Sequence, residues 1–119
     1  MTTTAPKAPS DLRRSGRALW RAVHAAFELD EHERQLLHET CRTRDLCDRL
    51  QTVLDADGVM SESSQGVRVH PAAVELRQQR ITLARLLAAL NVPSGEAAEP
   101  ALGQRRAVRG VYSIQGGAG

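Results

Sequence analysis

The stretch DGVMSESSQGVRVHPAAVELRQQRITLARLLAALNVP, residues 57–93, decides how this chain of 119 residues folds. Asp57-Gly58 ends one helix, because glycine readily takes the backbone conformation that closes a helix. A turn-rich segment follows, and its apolar ends, Val59-Met60 and Val67 to Val69, fit either a small β-hairpin or a loop. His70-Pro71 then opens a further helix, since proline is well tolerated at a first helical position. Two long helices joined in this way predict an elongated molecule with little core of its own.

The helix that starts at Pro71 is expected to run to Leu90 with apolar residues on two faces. One face carries Leu76, Leu83, Leu87 and Leu90, and the other carries Val74, Ile81, Ala84 and Ala88. A helix with two apolar faces needs two partners. The preceding helix supplies one of them in an antiparallel hairpin, and a second copy of the chain most simply supplies the other. We therefore predict a homo-oligomer whose interface contains Leu76, Ile81, Leu83, Leu87 and Leu90.

Two more helices are predicted upstream. The first runs from about residue 12 or 16 to residue 27, with Ser10 or Ser15 as its N-cap. Trp20 is expected to anchor this helix on the hairpin, because it is the largest apolar side chain of the chain. The second begins after Asp30, where Glu33 completes a capping-box-like start, and runs to about residue 56. The apolar face of the first helix consists of Leu19, Trp20, Val23 and Phe27.

The fold class predicted from these segments is all-α, a short basic helix on a long antiparallel helical hairpin with a small β-hairpin or loop at its tip. Residues 1–11 are rich in Thr, Pro and Ala and predict a disordered basic arm. Residues 12–93 are predicted to form the helical oligomerisation domain. Residues 94–119 lose the helical pattern and predict a flexible C-terminal tail. The single Trp, Phe and Tyr agree with packed helices and argue against a β-sandwich.

The composition also indicates in which cellular compartment the protein is expected. No apolar run approaches the ~20 residues that a membrane span needs, so no membrane association is expected. Residues 1–10 lack the apolar segment of a signal peptide. Cys41 and Cys47 are six positions apart on one predicted helix and point in directions that prevent a disulfide between them. They are interpreted as reduced, half-buried cysteines of a cytoplasmic protein.

The histidines suggest a metal site only at first sight. His32-Glu33 lacks the second histidine that a zinc protease carries four positions later, because position 36 is leucine. His38 and Cys41 share a helix face, but a structural zinc needs four ligands and no second pair is present. No catalytic constellation and no phosphate-binding glycine loop occur either. We therefore predict a protein that is not an enzyme, with no catalytic residues, no metal and no cofactor.

Charge is distributed unevenly although the net charge is only +2. Residues 1–21 carry five basic residues against Asp11, a balance of +4. Residues 28–62 carry ten acids against four arginines, a balance of −6, and residues 63–91 return to +3. Such a distribution suits a protein that touches a polyanion locally and contacts its own copies elsewhere.

The basic residues of the first helix are the candidate DNA contacts. A basic helical face is typical of a surface that binds phosphates. A helix-turn-helix with the second helix as the recognition helix is disfavoured, because that helix begins with acidic residues. The alternative is an ordinary solvated helix in an Arg-rich protein. The candidate DNA-binding residues are Lys7, Arg13, Arg14, Arg17 and Arg21.

The order of these segments resembles the small terminase subunits of tailed double-stranded DNA phages, over residues 12–94. The matching pieces are Ala18-Leu19-Trp20, Leu54 to Gly58, His70-Pro71-Ala72 and Leu87 to Ser94. The resemblance implies a non-catalytic protein that assembles into a ring and binds viral double-stranded DNA. It also implies a large terminase subunit as partner, which supplies the ATPase and nuclease during genome packaging in the host cytoplasm.

Within the predicted tail, a short mixed basic and apolar stretch is assigned as the segment that docks on the large subunit. Two other classes stay open. The chain could be a protein-only adaptor or scaffold, or a small transcriptional regulator, for which a dimer is expected. The docking residues are Arg105, Arg106, Arg109 and Tyr112.

Overall fold

The computed structural model describes residues 6–90 and contains three α-helices and one β-hairpin. The predicted mainly helical architecture with a small tip structure is confirmed, and each helix end lies within two residues of its predicted position. Residues 1–5 and 91–119, which include the predicted docking residues, lie outside the described part. The elements are α1 (Arg14–Ala26), α2 (Glu31–Asp57), β1 (Met60–Ser63), β2 (Gly66–Val69) and α3 (Pro71–Ala89).

Helix α2 is the central element, and its 27 residues span about 40 Å. It begins at the predicted capping box, in which the backbone N–H of Asp30 donates to Glu33 Oε1 at 2.8 Å. It ends at Gly58, whose φ of 84° is rarely adopted by residues with a side chain. Helix α1 packs on the first half of α2, whereas α3 packs along its second half and reaches the first core cluster at Leu90.

Helix α1 runs antiparallel to the first half of α2, since Gly16 faces Cys41 and Asp45. Trp20 is buried between these elements, which confirms its predicted anchoring role. Cys41 belongs to the same core and is fully buried rather than half-buried, and burial raises the pKa of its thiol to about 12. This first core cluster contains Leu12, Trp20, Val23, Leu29, Leu37, Cys41 and Leu90.

Helix α3 runs antiparallel to the second half of α2, as predicted. At the tip, His70 Nε2 lies 3.0 Å from Asp57 Oδ2, and His70 Nδ1 accepts the backbone N–H of Ala72 to cap α3. Midway, Arg80 donates to Gln51 Oε1 at 2.9 Å. A second core cluster consists of Cys47, Leu54, Ala72 and Leu76, with Leu50, Ala73 and Leu83 packed against it.

The segment between α2 and α3 is a β-hairpin and not a loop, the other structure that the sequence allowed. Strands β1 and β2 pair antiparallel, with Met60 opposite Val69 and Glu62 opposite Val67. Gly66 has a φ of 113° after the turn, a conformation that favours glycine. The hairpin projects from the helices with its apolar residues exposed.

The two apolar faces of α3 are present, but the predicted interface needs correction. Leu76 and Leu90 are 3% and 0% exposed inside the chain's own core, so they have no surface for a second copy. Leu83 packs against the second cluster, and Leu87 is half-buried. The face that remains exposed is the other one, where Ile81 is 42% and Val74 is 47% exposed. The leucine face of α3 is covered by α2, because this is the face with which α3 packs in the chain's own core.

The predicted disordered arm also needs correction for residues 6–11. Trp20 Nε1 donates to the Pro6 carbonyl at 2.9 Å, and the Leu12 N–H donates to the Pro9 carbonyl at 3.2 Å. Ala8 packs against the first core cluster, and Leu12 is 1% exposed within it. Two apolar side chains therefore hold this segment, although its average composition is typical of disorder.

Candidate nucleic-acid interface

The N-terminus of α1 is capped from α2 rather than by a nearby serine. The N-cap residue is Arg13, whose side chain makes no capping bond. Instead, the buried carboxylate of Asp45 accepts two backbone N–H groups, from Arg13 and from Gly16, each at 2.7 Å. Ser15, one of the two predicted N-caps, donates to Asp48 of α2. A carboxylate at this position also interacts favourably with the helix dipole.

Close approach of the two helices makes this cap possible. A Cβ atom on Gly16 would lie 2.3 Å from Asp45 Oδ2 and 2.9 Å from the Cys41 carbonyl oxygen. Both distances are shorter than real Cβ contacts allow. Gly16 is therefore a position at which the backbone of α1 closely approaches α2, and the pair Gly16–Asp45 helps to fix where the basic side chains of α1 lie.

Three arginines of α1 form a stripe on its outer face. Arg14, Arg17 and Arg21 are spaced i, i+3 and i+7, which places them on one side of a helix. The buried residues Gly16 and Trp20 lie on the side of α1 that faces α2, next to Arg17 and farther from Arg14. Arg14 and Arg21 are exposed, while Arg17 is half-buried and donates to the Leu12 carbonyl. The remaining two candidates, Lys7 and Arg13, are exposed in the segment before α1.

The five N-terminal cations have no acidic partner within residues 6–90. Asp11, the acid in this part of the chain, is engaged elsewhere. Arg42 donates to it at 2.6 Å, and His38 Nε2 lies 2.8 Å from it. These two contacts, that of Arg42 first, lower the pKa of Asp11 to about 2. The positive charge before and along α1 therefore remains available to a polyanion.

Three of the four arginines of α2 show the opposite situation, while Arg49 is exposed and makes no salt bridge within residues 6–90. Arg34 pairs with Glu31 at 2.9 Å, and Arg44 pairs with Asp48 at 2.9 Å. Arg42 contacts Glu39 at 2.7 Å in addition to Asp11. The acidic stretch that the sequence shows at 28–62 is thus partly neutralised internally, and α1 is the more suitable surface for phosphates.

A second set of basic residues is divided between two elements. Arg68 lies on the hairpin, where it donates to Gln65 Oε1 at 2.7 Å. Arg77, Arg80 and Arg85 lie on α3, and Arg77 and Arg80 line a groove beside α2. Because these residues flank apolar surface, they suit a protein contact better than a DNA backbone.

The packing of α1 on α2 does not leave α2 in a position to act as the recognition helix of a helix-turn-helix. Contacts between them extend from the connecting turn as far as Asp48, so α1 lies back along α2. The first turn of α2 carries Glu31 and Glu33, which would repel phosphates. The arrangement of α1 and α2 therefore does not favour a helix-turn-helix in which α2 is the recognition helix.

A buried histidine, His24, near the end of α1 is expected to make the stability of the fold depend on pH. His24 is 7% exposed, and its Nδ1 lies 3.1 Å from the Trp20 carbonyl, so the proton is on Nδ1. Its Nε2 is buried without a partner among residues 6–90. Burial first, and then the positive charge of Arg34, lower the pKa of His24. The folded protein therefore holds this imidazole neutral.

We predict that the free energy of unfolding falls as the pH drops below about 6.5, the ordinary pKa of histidine. The unfolded chain takes up the proton first, because the pKa of His24 is lower in the folded state. The contribution of neutral His24 to the free energy of unfolding is thus fully present above pH 6.5 and is lost as the pH falls toward the pKa of His24 in the folded protein. Urea unfolding at about pH 7.5 and 5.5 measures this change in the free energy of unfolding, with His24→Gln as the control. An equally large pH effect in that variant would contradict the assignment to His24.

The remaining chemistry of the described residues is limited. No group of three His, Cys, Asp or Glu side chains within residues 6–90 is arranged to hold a metal ion. His38, which shares a face with Cys41, is directed to Asp11 instead. Cys41 and Cys47 are both free and buried. No helix in the described part is long and apolar enough to cross a membrane.

Comparison of the chain with protein-family models, with curated proteins and with solved structures finds no match.

Proposed function

We propose that this protein is a non-catalytic small terminase subunit that binds viral double-stranded DNA through the outer face of α1 and the preceding segment. As such, it forms a homo-oligomeric ring and recruits or regulates the large terminase subunit during genome packaging in the host cytoplasm. The observation that carries the DNA contact is the unpaired N-terminal cations on a helix fixed by Asp45. The resemblance of the segment order to small terminase subunits supports the packaging role.

The physical basis of binding is counterion release. Each arginine that contacts a phosphate releases condensed cations from DNA, so affinity falls steeply with salt. One subunit offers only the few contacts of Lys7, Arg13 and the α1 stripe, which bind weakly alone. Several copies in one oligomer multiply these contacts through effective concentration. Phosphate contacts do not read bases, and binding is expected to be largely independent of sequence.

We predict that changing Arg13, Arg14, Arg17 and Arg21 together to Gln makes the plot of log affinity against log salt concentration less steep. The magnitude of its negative slope should fall by about three to four per subunit engaged. Single variants make a matched comparison. Arg21→Gln should lower the slope by about one. Arg44→Gln should leave it unchanged, because Arg44 is already paired with Asp48. Fluorescence anisotropy with a DNA duplex over a salt series measures these slopes.

The same titration discriminates between the candidate functions. An unchanged slope in the quadruple variant would move the DNA surface to Arg68, Arg77, Arg80 and Arg85. Absence of DNA binding even at low salt would favour the protein-only adaptor, for which the exposed apolar residues of the hairpin are the supporting observation. Native mass spectrometry separates a ring from the dimer expected of a transcriptional regulator.

A further inference from the structure

The β-hairpin exposes an apolar face that nothing in the described chain covers. Met60, Val67 and Val69 are 52%, 61% and 49% exposed. The register pairs Met60 with Val69 and Glu62 with Val67, and side chains alternate between the two faces of a strand. These three apolar residues therefore share one face with Glu62. We call it the hairpin face.

The opposite face of the hairpin is polar. It carries Ser61 opposite Arg68, and Arg68 is hydrogen-bonded to Gln65. A two-stranded hairpin with one apolar and one polar face needs a partner on the apolar side, because an isolated hairpin is marginally stable in water. The hairpin face is thus a contact surface rather than a random exposure of single apolar residues.

A groove of complementary character lies between the end of α2 and α3. It is open to solvent and has a volume of about 670 Å³. Leu54, Ala73, Leu76 and Ile81 are among its apolar lining residues. Arg77 and Arg80 are the basic residues of its lining, and neither takes part in a salt bridge within residues 6–90. Asp55 is the acid of the lining and accepts a hydrogen bond from Gln51, so two arginines against one aspartate leave the groove positive.

We propose that the hairpin face of one copy of this chain docks in the α2–α3 groove of a second copy. Apolar side chains meet an apolar floor, and Glu62 meets the rim formed by Arg77 and Arg80. This inference rests on the proposed homo-oligomer and names its interface. A chain's own hairpin cannot fill the groove, because Met60, Val67 and Val69 remain exposed in the folded chain.

Charge argues against the simplest alternative, a pairing of two α3 helices across their exposed faces. That pairing would place Arg77 and Arg85 of one copy beside the same arginines of the other, and Glu75 is the only acid on α3. Like charges that face each other across an interface weaken the association. The hairpin-to-groove contact instead brings opposite charges together. A one-way exchange continues from copy to copy and can close into a ring, whereas a reciprocal exchange ends at a dimer.

Charge reversal tests this contact in the full-length protein. The hairpin variant is Glu62→Arg, and the groove variant carries Arg77→Glu and Arg80→Glu. All three positions are exposed, so the fold is retained, which circular dichroism verifies. Each variant alone should raise the concentration at which the oligomer dissociates by roughly tenfold or more. Mixing the two variants should restore assembly, because each hairpin then finds a groove of opposite charge.

The control is Arg85→Glu, a charge reversal of equal size on α3 outside the groove lining, which should leave assembly unchanged. Native mass spectrometry and sedimentation across a concentration series give the readout. Variants that assemble like the parent protein would overturn the proposed interface while leaving a DNA-binding oligomer intact. Loss of assembly without recovery on mixing would also overturn it, since the two surfaces would then not face each other. A monomeric parent protein at micromolar concentration would overturn both this interface and the proposed oligomer.

Discussion

Gly16→Ala is expected to destabilise the protein by about 3 kcal/mol, although alanine is the better helix former. The added Cβ would lie 2.3 Å from the carboxylate oxygen of Asp45 and 2.9 Å from the Cys41 carbonyl. Neither neighbour can move freely, since the Cys41 carbonyl is helix backbone and Asp45 holds two N–H groups of α1. Helix α1 must therefore move away from α2, which weakens the cap and exposes Trp20.

The measurement is urea unfolding followed through Trp20, the only tryptophan. Asp45→Ala alone should also destabilise, because it leaves two buried or half-buried N–H groups without an acceptor. In the double variant the alanine side chain at position 16 meets less obstruction. The two effects should consequently fall short of additivity by about 1 kcal/mol or more, as expected for residues in contact. A Gly16→Ala protein that is more stable than the parent would refute the close approach.

This arrangement matters for DNA binding because it makes the basic stripe part of a rigid surface. Arginine side chains lose rotamer freedom when they bind, and a backbone that also had to become ordered would add about 1–2 kcal/mol per residue. Helix α1 is instead held by the Asp45 cap at its start and by Trp20 in its middle. Its arginines are therefore presented at fixed spacing before any DNA is bound.

Much of the fold could be predicted because its signals are local. Three helix ends are set by signals that act within a few residues. These are the start of α2 at the Asp30–Glu33 capping box, its end at Gly58, and the start of α3 at His70-Pro71. Trp20 could be placed in the core because one large aromatic residue in an amphipathic helix has little alternative. The basic stripe was visible for the same reason, since helical spacing alone puts its members on one face.

The features that sequence reasoning missed depend on contacts between distant residues. Asp45 lies 29 positions from Gly16, and nothing local distinguishes it from the other acids of α2. The order of residues 6–11 depends on two apolar side chains finding the first core cluster, which average composition hides. Both faces of α3 were recognised, but periodicity cannot say which of two apolar faces meets α2. The predicted interface therefore includes Leu76 and Leu90, which lie in the chain's own core, beside Ile81, which is exposed.

Leu90 provides the sharpest test of that correction. It is 0% exposed and lies in one cluster with Leu12, Trp20 and Leu37, so the end of α3 reaches the core under α1. Leu90→Ala is expected to lower the free energy of unfolding by about 2–5 kcal/mol, from lost burial and the cavity that remains. The loosened packing should also shift the emission of Trp20 to longer wavelength in the native protein.

Ile81→Ala is the matched control, because it removes a side chain of the same size from the exposed face of the same helix. It should leave the emission of Trp20 unchanged, and any loss of stability relative to the parent protein should be largest at high protein concentration and disappear on dilution, since Ile81 lines the groove assigned to a second copy. Leu90→Ala should instead show its emission shift at every concentration. If Leu90→Ala altered only the oligomer and left Trp20 undisturbed, Leu90 would belong to an interface after all, and the packing of α3 against the first core cluster would be wrong.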